Sequence, residues 1–348
     1  MMKTITKNVQ SISDITADYI PEAIFNSEQP IILKGLIKHW PLVQTALNNT
    51  QSAIKTLIQS DTQKPAPVYF GHNKQTRRLG YNHDCSKLNF DIKQTNLTQI
   101  LTELMDNLAN PDYPVRYIAS NILQIHFPDI HQQNHLSFDY PYFQQNPLEG
   151  ADPLTGIWIG NQTLSPCHWD AQSNIACCVA GKRKFTLFPP DQVENLYPGP
   201  LELTPGGQPI TLVDFDNPDF ERFPKFANAI EHGQIAELEP GDAIFIPCMW
   251  WHQVETQDTF NILINYWWNS FAKSRGQAIN VLQHAFLSLR DRPKAEKQAW
   301  KHLFDYYIFG EDNLAAQHLA ESSRGVLGEI DNLQSRQLRA MLLNKLNR

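Results

Sequence analysis

Ser165-Pro166-Cys167-His168-Trp169-Asp170 is the stretch on which the fold turns. In a strand, residues i and i+2 share a face. His168 and Asp170 then point one way and Trp169 the other, setting an imidazole beside a carboxylate. A second run, Glu239-Pro240-Gly241-Asp242-Ala243-Ile244-Phe245-Ile246-Pro247-Cys248-Met249-Trp250-Trp251-His252, brings a third donor. Its Pro-Gly-Asp turn opens an apolar strand, and His252 follows the next proline. Two histidines and one carboxylate make a facial triad with open coordination positions, the donor set of non-haem iron(II) sites. His168, Asp170 and His252 are therefore the expected metal ligands and the catalytic centre. A rival pair, His131 and His135, has helical spacing. It lies in a polar segment without the glutamate of an HExxH site and reads as solvated.

Outward from these blocks, short apolar runs recur at Ile157–Ile159, Asn174–Val179, Phe185–Phe188, Ala243–Ile246 and Thr259–Trp267. Turns rich in Pro, Gly and Asp separate them. Over residues 156–270 this spacing predicts a sandwich or barrel. Residues 1–155 read as a mixed α/β extension packing on that core. It holds a short helix at 20–25, a strand within Gln29–Gly35, one helix over 42–60 and a helical stripe over 97–108. Residues 128–155 read as a long irregular connector. From 271 to 348 the chain turns helical, with apolar stripes on Ala278, Val281, Leu282, Ala285, Phe286 and Leu289, on Trp300, Leu303, Phe304 and Tyr307, and on Leu338, Met341, Leu342 and Leu346. Three stripes exceed what one sheet edge needs, which favours pairing with a second copy as a homodimer.

The composition is that of a globular chain. Of 348 residues, 42% are hydrophobic and 19% charged, with a formal net charge of −7. This acidity argues against a protein that coats nucleic acid. Five cysteines without a CxxC argue against a disulfide scaffold and for reduced thiols in the cytoplasm. No run approaches the ~20 apolar residues of a membrane-spanning helix. Met1–Gln10 lacks an apolar signal core. Proline (23) outnumbers glycine (16), and the aromatics are abundant, so the bulk of the chain leans towards β structure.

Gly181-Lys182-Arg183-Lys184-Phe185-Thr186-Leu187-Phe188-Pro189-Pro190 supplies a candidate anion site. Alternation puts Arg183 on the apolar face with Phe185 and Leu187, and Lys182 and Lys184 on the other. A charge on an apolar face is costly unless it meets its opposite. A bound dicarboxylate or an internal Asp or Glu would meet it, and a guanidinium grips a carboxylate through two parallel hydrogen bonds.

Residues 156–268 resemble the JmjC-type, cupin-like family of Fe(II)- and 2-oxoglutarate-dependent oxygenases. They are especially similar to the branch that includes the asparaginyl hydroxylase inhibiting the hypoxia-inducible factor. The shared text is His168-Trp169-Asp170, Asn174, Gly181 to Pro190, Tyr197-Pro198, Asp214 to Asp219, Phe223-Pro224, Pro240-Gly241-Asp242, Ile246-Pro247, Trp250-Trp251-His252 and Asn265-Tyr266-Trp267. The N-terminal segment from Pro30 to Trp40-Pro41 is similar too.

The resemblance implies a mainly β protein with α elements: a double-stranded β-helix, or jelly roll, with iron at its mouth. It implies Fe(II), O2 and 2-oxoglutarate as cofactor and co-substrates, with succinate and carbon dioxide as co-products. By resemblance Tyr117, Ser165, Asn174, Arg183 and Asn265 form the co-substrate site. Arg183 stands where the family usually has lysine. Trp250, Trp251 and Trp267 are expected to help wall the pocket. The family acts on protein side chains, tRNA bases and histones. A protein or peptide side chain is the expected substrate, with no membrane partner, and tRNA stays open as an alternative. Two other readings stand beside this one: a cupin-like metalloenzyme without 2-oxoglutarate, and a non-catalytic jelly-roll binding protein.

Overall fold

Strands follow the β-branched and aromatic runs. The computed structural model describes residues 4–73, 76–138, 153–269 and 275–347. The N-terminal strands are β1 (Gln10–Ile12), β2 (Ile31–Leu33), β3 (Ala66–Gly71), β4 (Phe90–Thr95) and β5 (Arg116–Ile122). Then come β6 (Leu154–Gly160), β7 (Leu164–Trp169), β8 (Ser173–Ala180) and β9 (Arg183–Phe188). The last are β10 (Gln234–Leu238), β11 (Ala243–Ile246), β12 (Trp251–Thr256) and β13 (Asn261–Trp268). One sheet runs β1-β2-β11-β8-β13-β6-β5-β3-β4 and a second runs β10-β9-β12-β7. β1 and β2 pair in parallel, whereas the pairs that build the core are antiparallel. Two antiparallel sheets, not closed into a barrel, form the jelly-roll, cupin-like core that the sequence predicts.

Period-two alternation divides each strand of the large sheet between two cores. Ile157, Ile159, Ile175, Cys177, Ile262 and Ile264 meet the helices Pro41–Asn48, Thr50–Ser60 and Leu97–Asp106 through Leu42, Ile54, Leu57, Ile100 and Leu101. Their neighbours Ala176, Cys178, Ile244, Ile246 and Leu263 face the other way and pack on Phe185, Leu187, Ala236 and Leu238 of the small sheet. β3, β4 and β5 extend the large sheet beyond β6, so N-terminal residues build the same sheet as the later strands. The far side of the small sheet is covered by Phe223 and Phe226, packed with Cys167, Phe188 and Trp251.

Two local expectations need correction. The single helix over 42–60 is two helices. Asn49 between them is extended (φ −162°, ψ 117°), and its side chain accepts from the Ser52 N–H to cap the second. The connector is not irregular from its start, because Pro128–Gln133 is helical with proline in the first turn. Residues 139–152 of that connector lie outside the described residues.

The chain divides into two units, Met1–Ser270 and Phe271–Arg348. The second holds helices Ile279–Ser288, Lys294–Tyr307 and Asn332–Leu346. Among its described residues only Ala316 and Ser335 are buried, while Leu287 is 82% and Phe309 75% exposed. Among the described residues no helix is long and apolar enough to cross a membrane.

The Pro240-Gly241-Asp242 turn ties the N-terminal segment to the core. Asp242 is buried and accepts from Lys34 Nζ at 2.8 Å, the Gly35 N–H at 2.9 Å and the Glu239 N–H at 3.1 Å. Gly241 takes φ +105°, where a side chain would be strained. Asp242→Ala strands two backbone donors. The expected loss is roughly 1–3 kcal/mol of stability, seen as a lower urea midpoint with an unchanged slope. A wild-type midpoint would show that the clamp is dispensable.

Candidate metal centre

Antiparallel pairing of β7 with β12 sets His168 directly opposite His252. Their ring centroids are 4.4 Å apart. β7 ends at Trp169, and Asp170, one residue on, still faces His252, with Oδ2 3.8 Å from Nε2. Ligand atoms of the three residues all lie within 4.8 Å of one another, and no other such cluster occurs among the described residues. His131 and His135 form none. The exposed His135 turns its Nδ1 to Gln132 O at 3.1 Å.

The two imidazoles are poised as ligands. His168 Nδ1 lies 2.8 Å from Pro166 O, and His252 Nδ1 lies 2.9 Å from Trp250 O. A carbonyl only accepts, so each Nδ1 carries the proton and each Nε2 keeps its lone pair. Backbone carbonyls fix metal-binding histidines in this way. Burial, and next the neighbouring His168, hold the pKa of His252 down to about 4 against the opposing pull of Asp170. The ring is therefore neutral near pH 7, as a ligand must be. Two nitrogen lone pairs and a carboxylate converging on one point fit an iron(II)-type ion.

Beside this cluster opens a cavity of about 440 Å³, lined among others by Tyr117, Trp158, Ser165, His168, Asp170 and Trp267. Tyr117 is buried on β5, beside Ser165 and Arg183. Burial pushes its phenol pKa up, and the Arg183 charge and the neighbouring polar groups pull it down. Arg183 is 1% exposed, on the face shared by Phe185 and Leu187 as alternation predicts. Among the described residues its Nε and Nη2 have no hydrogen-bond partner. Buried donors left open in this way fit an incoming carboxylate. Nearby Cys178 is buried, and its thiol pKa is pushed up to about 12 despite the Arg183 charge.

The other predicted residues are differently placed. Asn174 and Asn265 are buried and pair with each other, Asn265 Nδ2 donating to Asn174 Oδ1 at 2.8 Å, while Asn265 Oδ1 stays open. Neither lines the cavity, and nor does Arg183. Of the three tryptophans expected to wall the pocket, only Trp267 does so. Trp250 packs between the sheets and donates its N–H to Glu28 O, and Trp251 lies on the far side of the small sheet.

Sequence reasoning missed Trp158 and Ser120. Trp158 stands on the face of β6 opposite Ile157 and Ile159, so period two could have found it. Ser120 lines the cavity from an irregular part of β5, at φ +50°, and carries no such signal.

Jelly-roll sheets carrying two histidines and a carboxylate that converge define a cupin-like protein with a candidate metal centre. The comparisons agree: the family model described as a cupin-like domain matches residues 17–274, and the chain belongs to that family. It is 38% identical to HSPB1-associated protein 1 of Rattus norvegicus over 279 residues, 76% of this chain and 54% of that protein. It is 32% identical to Lysine-specific demethylase JMJ31 of Arabidopsis thaliana over 123 residues, 34% of this chain and 22% of that protein. It is 22% identical to tRNA wybutosine-synthesizing protein 5 of Gallus gallus over 309 residues, 82% of this chain and 89% of that protein. The chain thus spans about half the length of the rat relative.

The metal-free protein is expected to take up one Mn(II) or Fe(II) per chain by titration calorimetry. Asp170→Ala and His252→Ala should abolish uptake while keeping the wild-type far-UV circular dichroism. Full uptake by either variant would place the metal elsewhere.

Proposed function

We propose that this protein is an Fe(II)- and 2-oxoglutarate-dependent oxygenase that hydroxylates a protein or peptide side chain. One observation carries this reading. The cavity that exposes His168 and Asp170 has Tyr117 and Ser165 in its wall, next to a buried Arg183 with open donors. His168, Asp170 and His252 would hold the iron. Bound iron(II) supplies oxygen activation, with 2-oxoglutarate giving up two electrons, so the products are succinate, carbon dioxide and a hydroxylated substrate.

The chain's own residues do the rest. Arg183 offers its two free N–H groups to the far carboxylate of the co-substrate. Tyr117 and Ser165 hydroxyls orient that end, and the Asn174–Asn265 pair supports the floor beneath it. The indoles of Trp158 and Trp267 exclude water from the wall. A protein substrate accords with the rat relative, whose name records association with another protein. Free cysteines suit a reducing cytoplasm. We assign chemistry to the jelly roll of residues 156–270, support to residues 1–155 and homodimerisation to the exposed apolar helices of residues 271–348.

With Fe(II) and 2-oxoglutarate, the protein is expected to release succinate and carbon dioxide even without prime substrate. Arg183→Met should raise the 2-oxoglutarate KM roughly 10–100-fold, the value of one charge-assisted pair. Absence of both turnover and co-substrate binding in iron-loaded protein would overturn the reading. Light scattering should give twice the chain mass, falling to one on Phe309→Asp with Leu342→Asp. A wild-type monomer would remove the dimer.

A further inference from the structure

Among the described residues, one side-chain donor reaches the carboxylate of the His168–Asp170–His252 cluster. Trp267 Nε1 donates to Asp170 Oδ2 at 3.1 Å. That same oxygen stands 3.8 Å from His252 Nε2. The two imidazoles are fixed by backbone carbonyls next to them in the chain, Pro166 and Trp250. Asp170 lies just beyond the end of β7; the Met249 N–H donates to its carbonyl at 2.7 Å, which fixes its backbone and leaves its carboxylate to be set by side chains. Its orientation depends on a side chain 97 positions away.

The place of that indole is itself shaped. On β13, Trp267 shares its face with Asn265 and Leu263, the face turned to the small sheet. Next to it on β6 is Gly156. A Cβ built on Gly156 would lie 2.6 Å from Trp267 Cζ3 and 3.1 Å from Cη2. Approaches under 3.0 Å are not tolerated, so only glycine leaves the ring where it is. Trp158, two residues on along the same face, meets the ring edge-to-face at 6.1 Å. A glycine gap on one side and an indole on the other thus aim the N–H at Asp170.

We propose that Trp267, seated by Gly156, is a positioning residue that sets the carboxylate plane of Asp170 and thereby the affinity and ligand field of the metal centre. This rests on the reading that His168, Asp170 and His252 hold a metal. A hydrogen bond to a ligating carboxylate fixes which lone pair it presents, and loss of such outer partners typically weakens metal binding about 10–100-fold. Trp267 touches the ligand and acts through it.

Trp267→Phe keeps an aromatic ring in the gap and deletes only the N–H. Gly156→Ala keeps the N–H and displaces the ring. Mn(II) affinity is read by titration calorimetry and the ligand field by the visible absorption of Co(II)-loaded protein. The expected result for Trp267→Phe is a Kd raised about 10–100-fold, a shifted Co(II) spectrum and an unchanged metal-free Tm. Gly156→Ala should shift both readouts in the same direction by less. Wild-type Kd and spectrum in Trp267→Phe overturn the proposal. If that variant does not fold, the same wild-type values in Gly156→Ala overturn it. Failure of the unmutated protein to bind Mn(II) or Co(II) would instead remove the metal reading beneath it.

Discussion

The register that sets His168 against His252 is the constraint from which the site follows. Directly opposed residues on antiparallel strands hold their Cβ atoms about 4.5–5.5 Å apart. At that spacing two imidazoles can share one small ion, and burial holds His252 neutral beside its partner. The same strand pair carries an irregularity. From His252 to Val254 the chain advances two residues, while the partner strand goes from His168 back to Ser165, three residues. The additional residue on β7 reverses the alternation. Without it Ser165 would face outwards beside Cys167, into the phenylalanine cluster of Phe223 and Phe226. With it, Ser165 and His168 line one cavity. A single bulge therefore joins the metal ligands to the hydroxyl and guanidinium groups behind them.

Charge placement on β9 is uneven. Lys182 is exposed yet meets Glu239 at 2.8 Å, and half-buried Lys184 lies 3.9 Å from Glu255. Arg183, between them and almost fully buried, keeps two N–H groups without a partner. For stability alone the order is inverted, since an exposed pair contributes little and a buried unpaired charge costs much. Trp158 Nε1 and Asn265 Oδ1 are also buried and unpartnered around the same cavity. Groups left open at such cost fit a ligand that completes them, as the proposed co-substrate would.

Much of this was legible because the deciding signals are local. Period two alone put His168 with Asp170, and Arg183 with Phe185 and Leu187. Turn chemistry marked β6, β8, β9, β11 and β13, whereas β10 and β12 went unmarked. What escaped depends on partners far away in sequence. The β7 bulge is set by β12, some 80 positions on. The Asn174–Asn265 pair exists only because β8 and β13 are neighbours. The break at Asn49 does carry a local signal in Asn48-Asn49-Thr50, but apolar periodicity on both sides hides it. Trp250 and Trp251 show the opposite error: adjacent aromatics near a ligand look like pocket walls, whereas alternation sends them into two different cores.

Alternation also separates stability from chemistry along single strands. On β13, Ile264 and Tyr266 face the helices, and Asn265 and Trp267 face the other way, Trp267 into the cavity wall. On β6, Ile157 and Ile159 pack outwards, while Gly156 and Trp158 shape the wall. The helices on the outer face hold the large sheet rigid, which keeps donors from β6, β8 and β13 in register with ligands on β7 and β12. A strand anchored on one side by Ile and Leu can afford open polar groups on the other. The N-terminal helices thus pack on the face of the sheet opposite the candidate metal centre.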